Sequence, residues 1–295
     1  MSARIAEDGL VKAISEGRRV GSSLRNQPSG EEQWRLAYHE ISPEASEYRY
    51  SVSAKQFGEH LVALSSASRP IRDRAIPQIT FDDGHRSIFD YAFPLLQKSA
   101  LKATFFVVTA FVDSNDQCVS WDQLRELVSA GHQVQSHGWS HRLLTRCSRR
   151  ELEIELIKSK REIEDRLGVE ITALSAPGGR FDKSVIATCR KAGYSELYHS
   201  NPWIPDRTIH DVRLKGRVMV TNGMDGSALC SHTQASRIRK LYFRARYAGK
   251  SKLRTLLGDE VYHKLWCSLA NWKPGSGIEL RVDHPKKATE QPYKT

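Results

Sequence analysis

The sequence predicts an α/β fold built on a parallel sheet, with helical extensions at both ends. Strand-like and helix-like stretches alternate at least five times, which is typical of parallel strands joined by helices. The stretch 103–109 is apolar and β-branched throughout, as expected for a strand that is covered on both faces. Polar side chains cluster directly after the predicted strands, where α/β proteins place their functional sites.

Length and composition limit the class of protein. The 295 residues suffice for one large domain or two ordinary ones, and no apolar run approaches the roughly 18 residues of a membrane-spanning helix. The first 14 residues show no secretory signal pattern, and the five cysteines are odd in number and widely spaced. We therefore expect a cytoplasmic protein with reduced thiols. The net charge of +11 favours anionic partners without identifying them.

Shifts in composition divide the chain into four predicted segments. Residues 1–32 are polar and read as an N-terminal helix and linker, and residues 33–232 carry the alternating pattern of the main domain. Residues 233–272 are predicted to form basic C-terminal helices, because 236–254 holds eight basic residues with leucine and aromatic side chains between them. The tail, 273–295, is rich in Pro, Gly and Lys and is predicted to be loose.

The elements of the main domain follow in a regular order. Residues 34–41 are predicted as the first strand, and 54–64 as a helix in which Phe57, Leu61 and Leu64 recur at helical spacing. The other predicted strands are 78–81, 103–109, 132–136, 171–176, 196–199 and 217–220. The other predicted helices are 87–98, 122–130, 148–167 and 182–192.

Two adjacent carboxylates, Asp82 and Asp83, follow the predicted strand 78–81. Neighbouring acids at the end of a strand repel each other unless a positive group lies close by. About fifty residues later, His137 and His141 follow another predicted strand. One carboxylate with two histidines is a common ligand set for a divalent metal with open coordination positions. The second carboxylate is then free to act as a base.

We therefore expect Asp83, His137 and His141 to hold a metal and Asp82 to accept a proton. A metal held there would lower the pKa of a bound water from about 15.7 toward neutrality and polarise a carbonyl oxygen. Each motif alone has an ordinary explanation, since adjacent acids often form a turn and histidines four residues apart are often solvated. Their joint occurrence after two strands favours a hydrolytic metal site.

Four stretches resemble motifs of the polysaccharide deacetylase (NodB-homology) family of carbohydrate esterases. Residues 80–84 (TFDDG) and 136–141 (SHGWSH) are similar to its first two motifs, residues 176–182 (APGGRFD) to its third, and residues 38–41 (YHEI) to the first strand of many members. The resemblance covers about 34–200 and implies a deformed (β/α) barrel of seven strands. It also implies a zinc-type metal, with Zn²⁺ as the expected ion and Co²⁺ or Ni²⁺ as alternatives.

The activity that the resemblance implies is hydrolysis of an acetamido group on a sugar of a polysaccharide or a lipid-linked saccharide. In that reaction Asp82 is the general base, a metal-bound water is the nucleophile, and the other acid and the two histidines bind the metal. The metal and a backbone amide near Gly84 or His85 would stabilise the oxyanion.

The chain departs from the family pattern in two places. The third motif commonly has an arginine two residues before the proline, where it steadies the catalytic acid, but Ser175 stands there. Arg180, just after the turn, is a candidate for this role, with a surface charge as the alternative. The last motif of the family supplies a histidine as general acid, and no clear copy is present. The candidates are His199, His210 and His232.

Four further residues are candidates for contact with a saccharide. His39 ends the first predicted strand, Trp139 lies between the two histidine ligands, and Pro177 and Gly178 form the turn of the third motif. The alternative for His39 is a hydrogen-bonded histidine of the core, and the alternative for Trp139 is a packing role.

Other functions stay open from the sequence. A deformylase or a cyclic-amide hydrolase would use the same ligand set, and the two departures also fit a catalytically weak barrel that binds glycan. The basic segment 236–254 fits an anionic membrane surface or a phosphate-bearing substrate. Nucleic-acid binding through this segment is the least favoured interpretation.

Overall fold

The structure is a computed structural model that describes residues 34–66 and 76–233, together with 241, 245, 249, 256–258 and 261. The predicted N-terminal helix and linker lie outside the described residues, as do the tail 273–295 and all but single positions of the basic C-terminal helices. Within the described ranges, no helix combines the length and apolar character needed to cross a membrane.

Strands and helices alternate along the described chain. The strands are β1 (Arg35–Tyr38), β2 (Glu40–Ser42), β3 (Ser51–Ser53), β4 (Gln78–Phe81), β5 (Ala103–Val107), β6 (Gln133–Ser136), β7 (Ala173–Ser175), β8 (Glu196–His199), β9 (Arg207–Ile209), β10 (Val212–Gly216) and β11 (Val218–Met219). The α-helices are α1 (Ala54–Ser66), α2 (Phe93–Ser99), α3 (Trp121–Ser129), α4 (Arg149–Glu153), α5 (Ser159–Leu167), α6 (Lys183–Ala192) and α7 (Gly226–Thr233).

The central sheet has the order β11-β1-β4-β5-β6-β7-β8-β10-β9, and all of its neighbours are parallel except β9 and β10. Parallel strands joined by helices place all of their carboxyl ends at one rim. The acid pair after β4, the histidines after β6 and the turn after β7 therefore share that rim.

The last strand closes this sheet into a barrel. β10 pairs with β8 on one edge, and β11, which begins after the single residue Arg217, pairs with β1 on the other edge. The N–H of Arg217 donates to the carbonyl of His199, and that of Val220 donates to the carbonyl of Ala37, each over 2.9 Å. With β10 and β11 counted as one strand, the described residues form a seven-stranded barrel, which confirms the predicted fold.

The two faces of the barrel wall have different chemistry. One face is apolar and belongs to the main core; its members from successive strands include Leu36, Ile79, Phe105, Val134, Leu174, Leu197 and Leu214. The other face holds the small cluster of Phe106, Ala173 and Tyr198. Two buried polar residues, Thr80 and Arg217, share this second face through a direct hydrogen bond of 3.0 Å.

The first predicted strand, 34–41, is wrong in extent. It is broken at His39 into β1 and β2, and β2 pairs with β3 in a separate two-stranded sheet. The hydroxyl of Ser87 accepts the N–H of Ile41 (3.0 Å) and so ties β2 to the segment after β4. This break places His39 at the rim of the barrel.

The predicted helix 148–167 has the expected position and a capping box at Ser148, but it is not one regular helix. A π-helical turn, Ile154–Lys158, joins α4 to α5. The predicted helix 87–98 likewise begins with a π-helical turn, Ile88–Ala92, before α2. The hairpin of β9 and β10 was not predicted from the sequence.

Candidate active site

The two acids after β4 point to different partners. Asp82 extends the strand, since its N–H donates to the carbonyl of Tyr38 over 2.9 Å. Asp83 has φ of 73°, a left-handed conformation that aspartate adopts more readily than most residues. The reversal of the chain at Asp83 allows the adjacent carboxylates to serve separate groups.

Asp83 meets the two histidines that follow β6. Its Oδ1 lies 3.3 Å from Nε2 of His137 and 3.3 Å from Nε2 of His141. The three ligand atoms all lie within 4.8 Å of one another. One carboxylate oxygen and two imidazole nitrogens on one side of an ion make a donor set with further positions open.

The surroundings of His137 suit metal binding. Its Nδ1 donates to the carbonyl of Ser175 over 2.8 Å, which leaves a lone pair on the Nε2 that faces Asp83. A hydrogen bond of this kind fixes the tautomer and the ring orientation of metal-binding histidines. The residues present therefore fit a divalent transition metal.

Burial acts to raise the pKa of Asp83, but the neighbouring imidazoles of His137 and His141 outweigh it and hold the pKa well below the ordinary value. Asp83 is consequently ionised at neutral pH. An ionised carboxylate is the form that a metal ligand requires.

Asp82 is held by Arg217, a residue that was not predicted to belong to the site. Nη1 of Arg217 lies 2.7 Å from Oδ1 of Asp82, and Nη2 lies 2.6 Å from Oδ2. Both side chains are almost fully buried, with 1% and 4% of their surface exposed. A bidentate contact of this kind fixes the orientation of a carboxylate and favours its ionised form.

The Arg217 guanidinium has further partners on the interior face of the barrel. It donates to Oγ1 of Thr80 (3.0 Å) and to Oγ of Ser175 (2.8 Å). Its central carbon lies 5.3 Å from the ring of Phe106 and 5.6 Å from that of Tyr198. These contacts compensate for the burial of a charged side chain.

Burial acts to raise the pKa of Asp82, but the attraction of Arg217 dominates, and the pKa lies below the ordinary value. The carboxylate therefore stays ionised and able to accept a proton.

Ser175 explains the first departure from the family pattern. Its hydroxyl donates to Oδ2 of Asp82 (3.1 Å) and accepts from Arg217, while its carbonyl holds His137. Arg217, at the junction of β10 and β11, contacts Asp82, and the role proposed for Arg180 stays a prediction. Arg180 follows the turn Pro177–Gly179 and is partly buried. A lone arginine at the start of the apolar stretch 217–220 was the available signal.

His39 lies at the break between β1 and β2, close to both acids. It lies close enough to both acids to contribute to their lowered pKa values. Its ring lies 5.1 Å from that of Tyr50. Its Nδ1 is buried and has no hydrogen-bond partner among the described residues. A buried nitrogen without a partner beside two carboxylates is unusual for a purely structural histidine.

The three candidates for a general acid differ in position. His199 ends β8 and is buried, and desolvation with the nearby Arg217 lowers its pKa to about 4, so its imidazole is neutral rather than cationic at neutral pH. His210 is exposed in the turn of the β9–β10 hairpin, which precedes the amino end of β10 and so lies away from the rim. His232 lies in α7, where the structure does not describe its side chain.

The remaining saccharide-contact candidates surround the histidine ligands. Trp139 is partly buried, and the Nζ of Lys158 lies 3.4 Å from its ring centroid, so a cation covers one face of the ring. Pro177 is buried against Gly138, and Gly178 packs against Leu143. The N–H of Gly84 donates to the carbonyl of Asp82 (3.0 Å), and the oxyanion donor near Gly84 or His85 stays a prediction.

Comparison with known families and proteins supplies independent information. Residues 72–197 match the family model described as polysaccharide deacetylase. The chain is 29% identical over 124 residues to the chitooligosaccharide deacetylase of Sinorhizobium fredii, covering 41% of this chain and 55% of that protein. It is 36% identical over 108 residues to the peptidoglycan-N-acetylglucosamine deacetylase PgdA of Listeria monocytogenes, covering 36% of this chain and 22% of that protein.

The structure resembles that of the deacetylase PplD of Streptococcus pyogenes in complex with acetate. The TM-score is 0.62 at 19% identity, and the match covers 69% of this chain and 98% of the other. At this identity the likeness shows the fold. The chain thus spans only part of the curated relatives, while its barrel corresponds to nearly the whole of one solved deacetylase.

Proposed function

Because this chain belongs to the polysaccharide deacetylase family, we propose that it is a metal-dependent hydrolase that removes the acetyl group from an N-acetylated sugar of a polysaccharide or a lipid-linked saccharide. The observation that carries this proposal is the arrangement at the rim of the barrel. Asp82 is ionised and forms a buried ion pair with Arg217. The next residue, Asp83, forms a group with two histidines that could bind a metal.

Each residue has a separate role in this proposal. The ion is held by Asp83, His137 and His141. We expect it to be Zn²⁺, with Co²⁺ or Ni²⁺ as the alternatives. When bound, such an ion polarises the acetamide carbonyl and lowers the pKa of the attacking water. Asp82 accepts the proton of that water. Arg217 orients Asp82 and keeps it ionised before the reaction.

His39 is the residue that we assign to protonation of the departing amine. Expulsion of an amine from a tetrahedral intermediate requires a proton, and a positioned acid typically contributes 10²–10⁴-fold to the rate. The Nδ1 of His39 has no hydrogen-bond partner among the described residues, and His39 lies close to both acids. His199 has a lowered pKa and is neutral at pH 7, so we do not assign it this role.

The names of the relatives support a substrate that carries N-acetylglucosamine, since one acts on chitooligosaccharide and another on peptidoglycan. A deformylase or a cyclic-amide hydrolase would use the same metal ligands. These alternatives are therefore distinguished by the substrates that the protein hydrolyses and not by the residues of the site. The cytoplasmic location stays a prediction, as do the domain boundaries. Membrane association through 236–254 also stays a prediction, because this segment lies largely outside the described residues.

A substrate panel with controlled metal content tests the proposal. Acetate and formate release is measured from N-acetyl and N-formyl chitooligosaccharides before chelation, after chelation and after addition of Zn²⁺, Co²⁺ or Ni²⁺. We expect acetate release that chelation abolishes and metal restores, and no activity for His137→Ala at any metal concentration that leaves it folded. Undiminished activity in fully chelated protein would refute metal dependence, and faster formate release would favour the deformylase alternative.

A further inference from the structure

A buried carboxylate outside the metal-binding group, Glu155, contacts the loop between the two histidine ligands. We propose that Glu155 is a positioning residue that holds residues 138–140 in the shape required for His137 and His141 to bind one ion. This inference rests on the proposed metal site. It adds a residue that matches no motif in the sequence.

Among the described residues, Glu155 accepts three hydrogen bonds, and all of them come from this loop. Its Oε2 accepts the N–H of Trp139 and the N–H of Ser140, each over 2.9 Å, and its Oε1 accepts the hydroxyl of Ser140. Glu155 itself is only 3% exposed. A carboxylate is costly to bury, and this one is compensated largely by the loop that it holds.

The π-helical turn Ile154–Lys158 contains Glu155 and is followed directly by Ser159, which contacts the strand that leads into this loop. One turn after Glu155, the hydroxyl of Ser159 lies 2.8 Å from that of Ser136 and 2.7 Å from that of Thr109. Ser136 in turn accepts the N–H of Gly138 over 3.1 Å. The bulged helix therefore reaches the loop at both ends, and π-helical turns frequently occur at functional sites.

The loop needs such support because its backbone is unfavourable. His141 has φ of 60°, a conformation that residues other than glycine seldom adopt unless the surroundings hold it. Gly138 has φ of 84°, and a Cβ there would lie 3.2 Å from Oε2 of Glu155. Without Glu155, we expect the loop to sample other conformations in which Nε2 of His141 leaves Asp83.

Metal affinity separates this role from a merely structural one. A residue that only stabilises the fold would lower the free energy of unfolding without changing the metal affinity of the folded protein. A residue that orders the ligands would raise the Kd for the metal, and saturating metal would restore activity. Loss of a partner that orients metal ligands typically costs 10–100-fold in affinity.

The experiment measures the Kd for Zn²⁺ by competition with a chromophoric chelator. The proteins are the wild type, Glu155→Ala, Glu155→Gln and the control Glu153→Ala. Glu153 lies on the same helix as Glu155, and its substitution removes a surface ion pair with Lys191 of α6. We expect Glu155→Ala to raise the Kd 10–100-fold. Glu155→Gln keeps an oxygen that can accept both amides and should stay within about 3-fold of the wild type. The control should be unchanged.

The outcomes are distinct. A wild type that binds no Zn²⁺ would refute the proposed metal site itself. Tight binding by the wild type with an unchanged Kd for Glu155→Ala would overturn the role of Glu155 alone. Equal losses in Glu155→Ala and Glu155→Gln would assign the effect to charge and also contradict positioning. If Glu155→Ala does not fold, Glu155→Asp replaces it, because the shorter side chain cannot reach both amides and should raise the Kd at least 10-fold.

Discussion

At the scale of single residues, the carboxylate of Asp82 depends on a partner 135 positions away in the chain. Arg217 makes two short contacts with it from the strand that closes the barrel, and Ser175 bridges the pair. This arrangement places an arginine beside the base although the third motif lacks one. Removing either charge would leave the other buried without compensation.

Arg217→Met should lower the free energy of unfolding by about 3–5 kcal/mol, because it leaves Asp82 buried and unpaired. Urea unfolding measures this loss. Arg213→Met, which removes a half-exposed partner of Asp206 from the same strand, should cost less than about 1 kcal/mol. In an Asp82→Asn background the cost of Arg217→Met should shrink. Equal costs in both backgrounds would show that the two side chains act independently.

His39→Gln tests the assignment of the proton donor. If His39 protonates the amine, kcat should fall by about 10²–10⁴-fold while metal content and KM change little. The matched control is His210→Gln, in the exposed hairpin turn. A kcat for His39→Gln within a few-fold of the wild type would remove His39 from the mechanism.

The sequence predicted the residues that belong to short motifs, and it missed those that act across the barrel. Asp82, Asp83 and the two histidines each follow a recognisable strand, so the common rim of a parallel sheet was enough to bring them together. Arg217 and Glu155 carry no motif. Their partners become visible only when distant strands and helices are in place.

At the scale of elements, the closing strand is the most constrained part of the barrel. Gly216 passes so close to the segment after β8 that a Cβ would lie 2.2 Å from the carbonyl oxygen of Asn201. The next residue is Arg217, so any displacement of this strand also displaces the partner of Asp82.

Gly216→Ala should therefore destabilise the protein by at least about 1–3 kcal/mol and reduce activity, since a clash with backbone cannot be relieved by a side-chain rotation. Gly58→Ala is the control, because it lies in α1 with no atom within 4 Å of the built Cβ. It should stabilise by about 0.5–1 kcal/mol through helix propensity. Thermal unfolding compares the two, and similar midpoints would contradict this view of the closure.

Element positions followed from the sequence more reliably than element geometry. The Ser148 cap and the stop at Gly168 located the helix between them, but neither signal indicates that a π-helical turn lies within it. The break at His39 was also invisible. The run 34–41 is suited to a strand, and only the pairing of β2 with β3 diverts it.

At the scale of the whole molecule, buried histidines link stability to pH. His132 packs between Phe93 and Phe105, its Nδ1 accepts the N–H of Ala103 (3.2 Å), and burial lowers its pKa to about 4. The unfolded chain takes up this proton near the ordinary pKa of about 6.5. Between these values protonation favours the unfolded state, so stability falls as the pH drops from about 6.5 to 4.

His132→Asn should keep an acceptor for Ala103 and remove the titration. The free energy of unfolding of the wild type should fall between pH 7 and pH 4.5, and the variant should lose less, by on the order of 2 kcal/mol. Urea unfolding at the two pH values gives the comparison. Equal losses in both proteins would mean that His132 does not titrate in this range.

The α/β class could be predicted from the alternation of strands and helices, and the barrel from the resemblance of the motifs to those of the deacetylase family. Its closure is seen in the structure, where one strand pairs with both edges of the sheet. The chemistry of its interior could not be predicted, because a charged pair is stable there only with the donors and rings that surround it. The central claim is that metal binding and proton transfer are divided between the neighbouring acids Asp83 and Asp82.

The most direct test is the rate of acetate release by Asp82→Asn in protein whose bound metal is measured on the same sample. Our account predicts a metal content equal to that of the wild type and a rate at least about 100-fold lower. A rate equal to that of the wild type, at equal metal content, would contradict the account.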